Sequence, residues 1–231
     1  MIRSAMLNYS FGSASEACGY SIINAYFMLY LTTVLKIDSG IAGTIVALTL
    51  ISEAVSAIII GGASDRSTSP KGRRRPYIII SSIVLSLCLV ISFTAFDFPD
   101  TVKIIYYTFF GIVMRGAFSA YYTTYVAFGA EILTDYDQRT RMRSICKLFS
   151  TAGNLIGYVL PLWIVGLLTR LNYSEAAGWS VAAMLVALIT FFTAFICWKN
   201  TAPYQRKKLE KYNHVLKKTF SCDPSANIYE T

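Results

Sequence analysis

Three residues carry charge where the sequence around them is apolar. Glu53 lies near the middle of a run from Ile41 to Ala63, Arg115 inside a run from Ile104 to Phe128, and Lys147 at the start of a run from Ile145 to Leu168. A carboxylate at mid-membrane costs several kcal/mol unless it is paired, protonated or hydrated. The chemistry Glu53 suits is capture of a proton or a small cation. The structural alternative is an ion pair with Arg115, which must itself face protein or water. Gly116, Ala117, Ser119 and Ala120 follow Arg115 and allow close helix packing around it. Tyr121, Tyr122, Thr123, Thr124 and Tyr125 then offer hydroxyls and ring faces, which suit a polyhydroxylated ligand or an ordinary interfacial belt. Tyr26, Phe27 and Tyr30 pose the same choice between a stacking wall and a belt. Lys147 either points into a cavity or snorkels to the interface.

A second charged set lies between the apolar runs. Asp65, Arg66, Lys71, Arg73, Arg74 and Arg75 form one loop, and Glu131, Asp135, Asp137, Arg139 and Arg141 another. Acidic groups of the second loop are placed to pair with arginines of the first. Such pairs would latch one end of the molecule in one state and release it in another. Exposed pairs are worth about 0–1 kcal/mol each, so a latch needs several acting together.

The elements that must position these groups are helices in a bilayer. Of 231 residues, 55% are hydrophobic and 15% charged, against about 25% charged in soluble domains. A membrane span needs about 20 mostly apolar residues. Six runs qualify: Gly12–Leu35, Ile41–Ala63, Tyr77–Phe96, Ile104–Phe128, Ile145–Leu168 and Trp179–Trp198. A soluble domain of this length could not cover so much apolar helix. The fold class read here is therefore an all-α membrane protein, with a six-helix transmembrane unit over 1–200. A basic tail follows over 201–231, in which Leu209, Tyr212, Val215 and Leu216 recur at helical spacing, predicting an amphipathic helix on the inner leaflet.

Topology follows from the basic residues. With the N-terminus and the Asp65–Arg75 loop inside the cell, 16 of the 21 basic residues are cytoplasmic and Lys36, Lys103 and Arg170 are external. Positive charge resists translocation, so both termini are expected in the cytoplasm and the chain in the plasma membrane. The net charge of +8 then reflects topology and contact with anionic lipid, and predicts no nucleic-acid partner. Five scattered cysteines without a CxxC suggest neither a metal site nor a disulfide framework. No Ser/His/Asp set, phosphate-binding glycine loop or metal cluster marks an enzyme, and no cofactor is implied. A channel would need repeated charge rings or a filter-like loop.

Several stretches together resemble a known family. Gly61-Gly62-Ala63-Ser64-Asp65-Arg66, with Lys71-Gly72-Arg73-Arg74-Arg75-Pro76-Tyr77, is similar to the loop between helices two and three of the major facilitator superfamily. Its form resembles the glycoside–pentoside–hexuronide:cation symporters, the melibiose permease family. Gly129-Ala130-Glu131, Asp135 to Arg141 and the opening Leu7-Asn8-Tyr9-Ser10-Phe11-Gly12 extend the resemblance from residue 5 to about residue 220. It implies that the chain is one six-helix half, an inverted 3+3 repeat, of a twelve-helix fold with substrate at midplane between halves. The implied function is symport of a sugar or glycoside with a sodium ion or a proton, by rocking against a missing C-terminal half or a second copy. The resemblance implies Glu53 for the cation and Lys147 along the substrate path; Tyr122, Arg115 and Tyr26 are added to that path from their own chemistry, and the resemblance gives Arg115 no role. Asp65, Arg73, Arg74, Arg75, Glu131, Arg139 and Arg141 would form the cytoplasmic gate. The sequence departs from the family at Ala57, where a second cation-site carboxylate stands, and at Ala17 and Tyr122, where aspartates bind galactosides. The alternative reading is a non-transporting six-helix remnant or scaffold that needs a partner half.

Overall fold

The computed structural model describes residues 2–66, 74–132 and 136–201. Each apolar run becomes a helix: α1 (Ile2–Thr33), α2 (Ser39–Arg66), α3 (Arg75–Ser92), α4 (Asp100–Ile132), α5 (Tyr136–Arg170) and α6 (Glu175–Asn200). Most helices run past the apolar stretches that announce them, because the helical backbone continues through the polar interface. Two stop short at one end: α1 at Thr33 rather than Leu35, and α3 at Ser92 rather than Phe96. The break is larger after α3. There the Phe93 amide donates to the Leu89 carbonyl, and the chain turns through Asp97 and Pro99 into α4. Ser174 caps α6, its hydroxyl accepting from the Ala177 amide at 3.2 Å. The tail with its amphipathic pattern lies outside the described residues.

Four of these helices, α2, α3, α5 and α6, are long and apolar enough to cross a membrane. The other two, α1 and α4, are long but more polar, and the packing shows why. The centre of the bundle is α1, with Ser10, Ser13, Ser15 and Ser21 buried on it. Those hydroxyls find acceptors inside the protein. Ser13 donates to the Cys146 carbonyl at 2.8 Å, Ser15 to the Thr190 carbonyl at 2.8 Å, and Ser21 to the Ala17 carbonyl at 2.8 Å. A buried hydroxyl in a bilayer has no water to bind, so such internal bonds are what makes a serine-rich span tolerable.

The pairing of helices is only partly sequential. α1 packs on α5 and α6, α4 packs on α2 and α3, α5 packs on α6, and α3 meets α6. Exchanging α1 with α4, α2 with α5 and α3 with α6 leaves all of these but the α5–α6 pairing unchanged. Successive spans cross in opposite directions, so the two three-helix units run antiparallel to each other. That is the geometry of an inverted repeat.

The α1–α5 seam is the tightest. A side chain at Gly153 would stand 2.5 Å from the Ala14 carbonyl oxygen, and one at Gly157 would stand 2.7 Å from the Cys18 carbonyl oxygen. Both obstacles are backbone, so they cannot swing aside. Spacing of four residues puts both glycines on one face, the small-residue seam that lets two membrane helices touch. Gly153→Val is expected to destabilise the chain by about 3 kcal/mol, at the upper end of ordinary overpacking, because α1 itself must move. Thermal unfolding in lipid nanodiscs reads it; an unchanged melting point would show that the seam yields.

Candidate functional site

Glu53 and Arg115 meet. Nη1 of Arg115 donates to Oε2 of Glu53 at 2.7 Å, and Nη2 donates to Oδ1 of Asn24 at 3.0 Å. The guanidinium therefore ties α4 to both α2 and α1. It is 3% exposed, and the Glu53 side chain is 26% exposed. Each stands near the middle of its helix, and that depth makes an unpaired charge costly. Ser119, one turn along α4, donates to the Glu53 carbonyl at 2.7 Å. Gly116 brings the helices close: a side chain there would stand 2.9 Å from the Ser56 hydroxyl.

From this junction a polar and aromatic stripe runs toward the end of the bundle that holds the chain start. Glu16, Tyr20 and Asn24 recur every four residues along α1, so they share one face. Arg115, Phe118 and Tyr122 answer them on α4. Rings link the two, with Tyr20 and Phe118 centroids 5.5 Å apart and Phe118 and Tyr122 at 6.3 Å. Tyr122 is half exposed.

The stripe opens into a cavity of about 340 Å³ between α1, α4 and α5. Its lining includes Glu16, Tyr122, Arg139, Arg143, Lys147 and Ser150. Tyr9 and Tyr125 form its floor. Their rings stack at 4.4 Å, and each hydroxyl donates to the other's carbonyl, at 2.9 and 3.0 Å. The cavity thus offers one carboxylate, three cationic donors and several hydroxyls beside aromatic faces. Such a mixture has the chemistry to hydrogen-bond the hydroxyls of a small polyol and to stack on its ring.

The predicted site residues are distributed over this structure unevenly. Lys147 and Tyr122 line the cavity together. Arg115 belongs to the mid-bundle junction with Glu53 and not to the cavity wall. Tyr26 sits at the opposite end of α1, its hydroxyl bound to the Tyr158 carbonyl and its ring 5.3 Å from Trp179. It is 8% exposed, which makes it a packing residue in this conformation.

Of the predicted gate, Asp65 accepts a hydrogen-bonded ion pair from Arg74. Arg75 is buried, donates to the Trp198 carbonyl and lies 5.0 Å from the centre of the Trp198 ring, which joins α3 to α6. Arg139 donates to the Ala130 carbonyl at 2.9 Å and lines the cavity, while Arg141 is exposed. Arg73 and the Glu131 side chain lie outside the described residues.

Sequence reasoning passed over Asn24, Tyr9 and Arg143 as site residues. A signal for Asn24 existed: it shares a helical face with Glu16 and Tyr20. Arg143 was read only as topology, since its four-residue spacing to Lys147 leaves open which way either side chain points.

The sequence model of MFS/sugar transport proteins matches residues 8–224. The chain belongs to this family. Within it, the chain resembles the glycoside:cation symporters. An uncharacterised symporter of Bacillus subtilis, YnaJ, is 27% identical over 217 residues, covering 90% of this chain and 45% of that protein. A putative glycoside/cation symporter of Escherichia coli, YagG, is 26% identical over 223 residues, covering 94% and 45%. The isoprimeverose transporter of Lactiplantibacillus pentosus is 24% identical over 197 residues, covering 84% and 41%. The chain therefore spans less than half the length of these relatives, and it aligns with their N-terminal part. As a member of a transporter family with several membrane-length helices, it is a multi-pass membrane protein and not an enzyme.

Proposed function

We propose that the chain forms the N-terminal six-helix half of a sugar or glycoside symporter that works by alternating access. The observation that carries this reading is the continuous polar and aromatic stripe from the Glu53–Arg115–Asn24 junction to the cavity of Lys147 and Tyr122. Lipid tails offer no partners for such a face, so it belongs against protein or water. Lys147 would donate to substrate hydroxyls, Tyr122 would stack on the sugar ring, and Glu53 would be the carboxylate through which a proton or cation is coupled. The Asp65–Arg74 pair and the arginines beside it would hold one end shut in part of the cycle. A second six-helix unit would complete the cavity and rock against this one.

The test is uptake of a panel of labelled sugars, headed by isoprimeverose, lactose and raffinose, in cells that express this chain with a second half-transporter. Uptake above that of either half alone is the expected result. Lys147→Ala should lower it at least tenfold, the cost of one charge-assisted hydrogen bond of about 1.5–3 kcal/mol. Arg170→Ala, exposed at the far end of α5 from the cavity, should leave it within twofold. Equal uptake by parent and Lys147→Ala would remove Lys147 from the path.

The same reading puts the cavity mouth and both termini in the cytoplasm, as the distribution of basic residues predicts. Single cysteines placed at Asp137 and Asn172 test this. In intact cells a membrane-impermeant maleimide is expected to label the second and spare the first; the reverse pattern would invert the topology.

A further inference from the structure

Glu53 reads as a cation-coupling carboxylate, yet a cation already stands beside it. We propose that the Arg115 guanidinium is a tethered counter-ion filling the cation position of Glu53, so that this chain does not respond to sodium or lithium at that carboxylate. The inference rests on the functional reading above, which gives Glu53 the coupling role.

Geometry supports it in three ways. First, the guanidinium contacts Glu53 Oε2 at 2.7 Å and takes its second acceptor, Asn24 Oδ1, from another helix. A bound ion bridging helices would make the same type of contact. Second, Arg115 is 3% exposed, so the guanidinium is enclosed by its neighbours and held at the carboxylate. The Ser56 hydroxyl against Gly116 closes the seam beside it. Third, the two oxygens that a bridging ion would use, Glu53 Oε2 and Asn24 Oδ1, already hold the guanidinium. Ala57, one turn further along α2, brings no oxygen. A hard cation binds through several oxygens at once. Here it would have to displace a fixed positive charge to reach them.

Thermal unfolding of the full chain in lipid nanodiscs, followed by tryptophan fluorescence, tests the proposal. The probes are sodium, lithium and choline chlorides at equal ionic strength. For the parent chain the three melting curves should coincide. For Arg115→Gln, sodium or lithium should raise Tm by about 5 °C over choline, saturably, as a ligand that binds only the folded state does. The pair Glu53→Gln with Arg115→Gln should lose that response. If Arg115→Gln folds only when sodium or lithium is present, the proposal stands. If it folds in no salt while the double variant folds, the proposal fails. A saturable sodium response in the parent that Glu53→Gln abolishes would overturn the tether and leave Glu53 as the coupling carboxylate. Absence of any response in both the parent and Arg115→Gln would remove Glu53 as a cation site, and the proposal with it.

Discussion

Arg115→Leu, measured in choline buffer, is expected to cost about 3–5 kcal/mol of stability, the usual penalty for stranding one member of a buried ion pair. The substitution keeps the volume near that of the arginine stem but leaves the Glu53 carboxylate without its counter-charge at mid-membrane. Asn24 loses its donor as well. Removing both charges together avoids the penalty. Glu53→Gln with Arg115→Gln should therefore fall within about 1.5 kcal/mol of the parent, since buried pairs replaced as a unit are often close to neutral. The check is a double-mutant cycle by denaturant titration of the folded chain. A coupling energy well above 1 kcal/mol is expected for groups in one contact network. Additive single effects would mean that the 2.7 Å contact is not made in the folded membrane protein. Because the pair ties α2 to α4, and Asn24 brings in α1, its loss should also loosen the cleft.

Trp179→Ala is expected to have a comparable effect at the other end of the bundle. Trp179 is 1% exposed and sits among Tyr26, Tyr30 and Phe93, with ring centroids 5.3 to 6.1 Å away. These rings come from α1, the end of α3 and α6, so the indole is where three helices are pinned together. Truncating it leaves a cavity that helices already in backbone contact cannot collapse to fill. Core aromatic truncations cost about 3–5 kcal/mol. In a bilayer the loss comes mainly from packing contacts, because lipid is as apolar as the core. Unfolding titration reads the loss directly, and Trp179→Phe should recover about half of it. A cost below 1 kcal/mol would show that the ring cluster is dispensable and that the α1–α5 seam carries the fold.

The two predictions differ in what the sequence reveals of them. Glu53 and Arg115 are conspicuous as charges in apolar runs, so a pair between them was one of two readings available from sequence. Asn24 was not conspicuous, because an amide in a polar helix carries no charge to betray it. It lies 91 positions from Arg115, and only the packing of α1 beside α4 brings them together. Trp179 is marked in the sequence only as the start of an apolar run. The fold instead turns it inward, as α6 lies against both α1 and α3.

The sequence by itself determined the number of helices, their place in a membrane and the family. These are set by local properties: runs of about 20 apolar residues, a lopsided distribution of basic side chains, and short charged motifs between spans. It also marked Lys147 and Tyr122, which the fold gathers into one cavity. Tertiary structure alone decided which helices touch. An apolar run carries no mark of its neighbour, since lipid and protein are equally acceptable to a leucine or isoleucine. The choice is made by backbone contact at Gly153 and Gly157, by hydroxyls seeking carbonyls on other helices, and by one arginine with acceptors on two of them. Those interactions join residues far apart in the chain, and for that reason the joining of Asn24 to the Glu53–Arg115 pair is legible only in three dimensions.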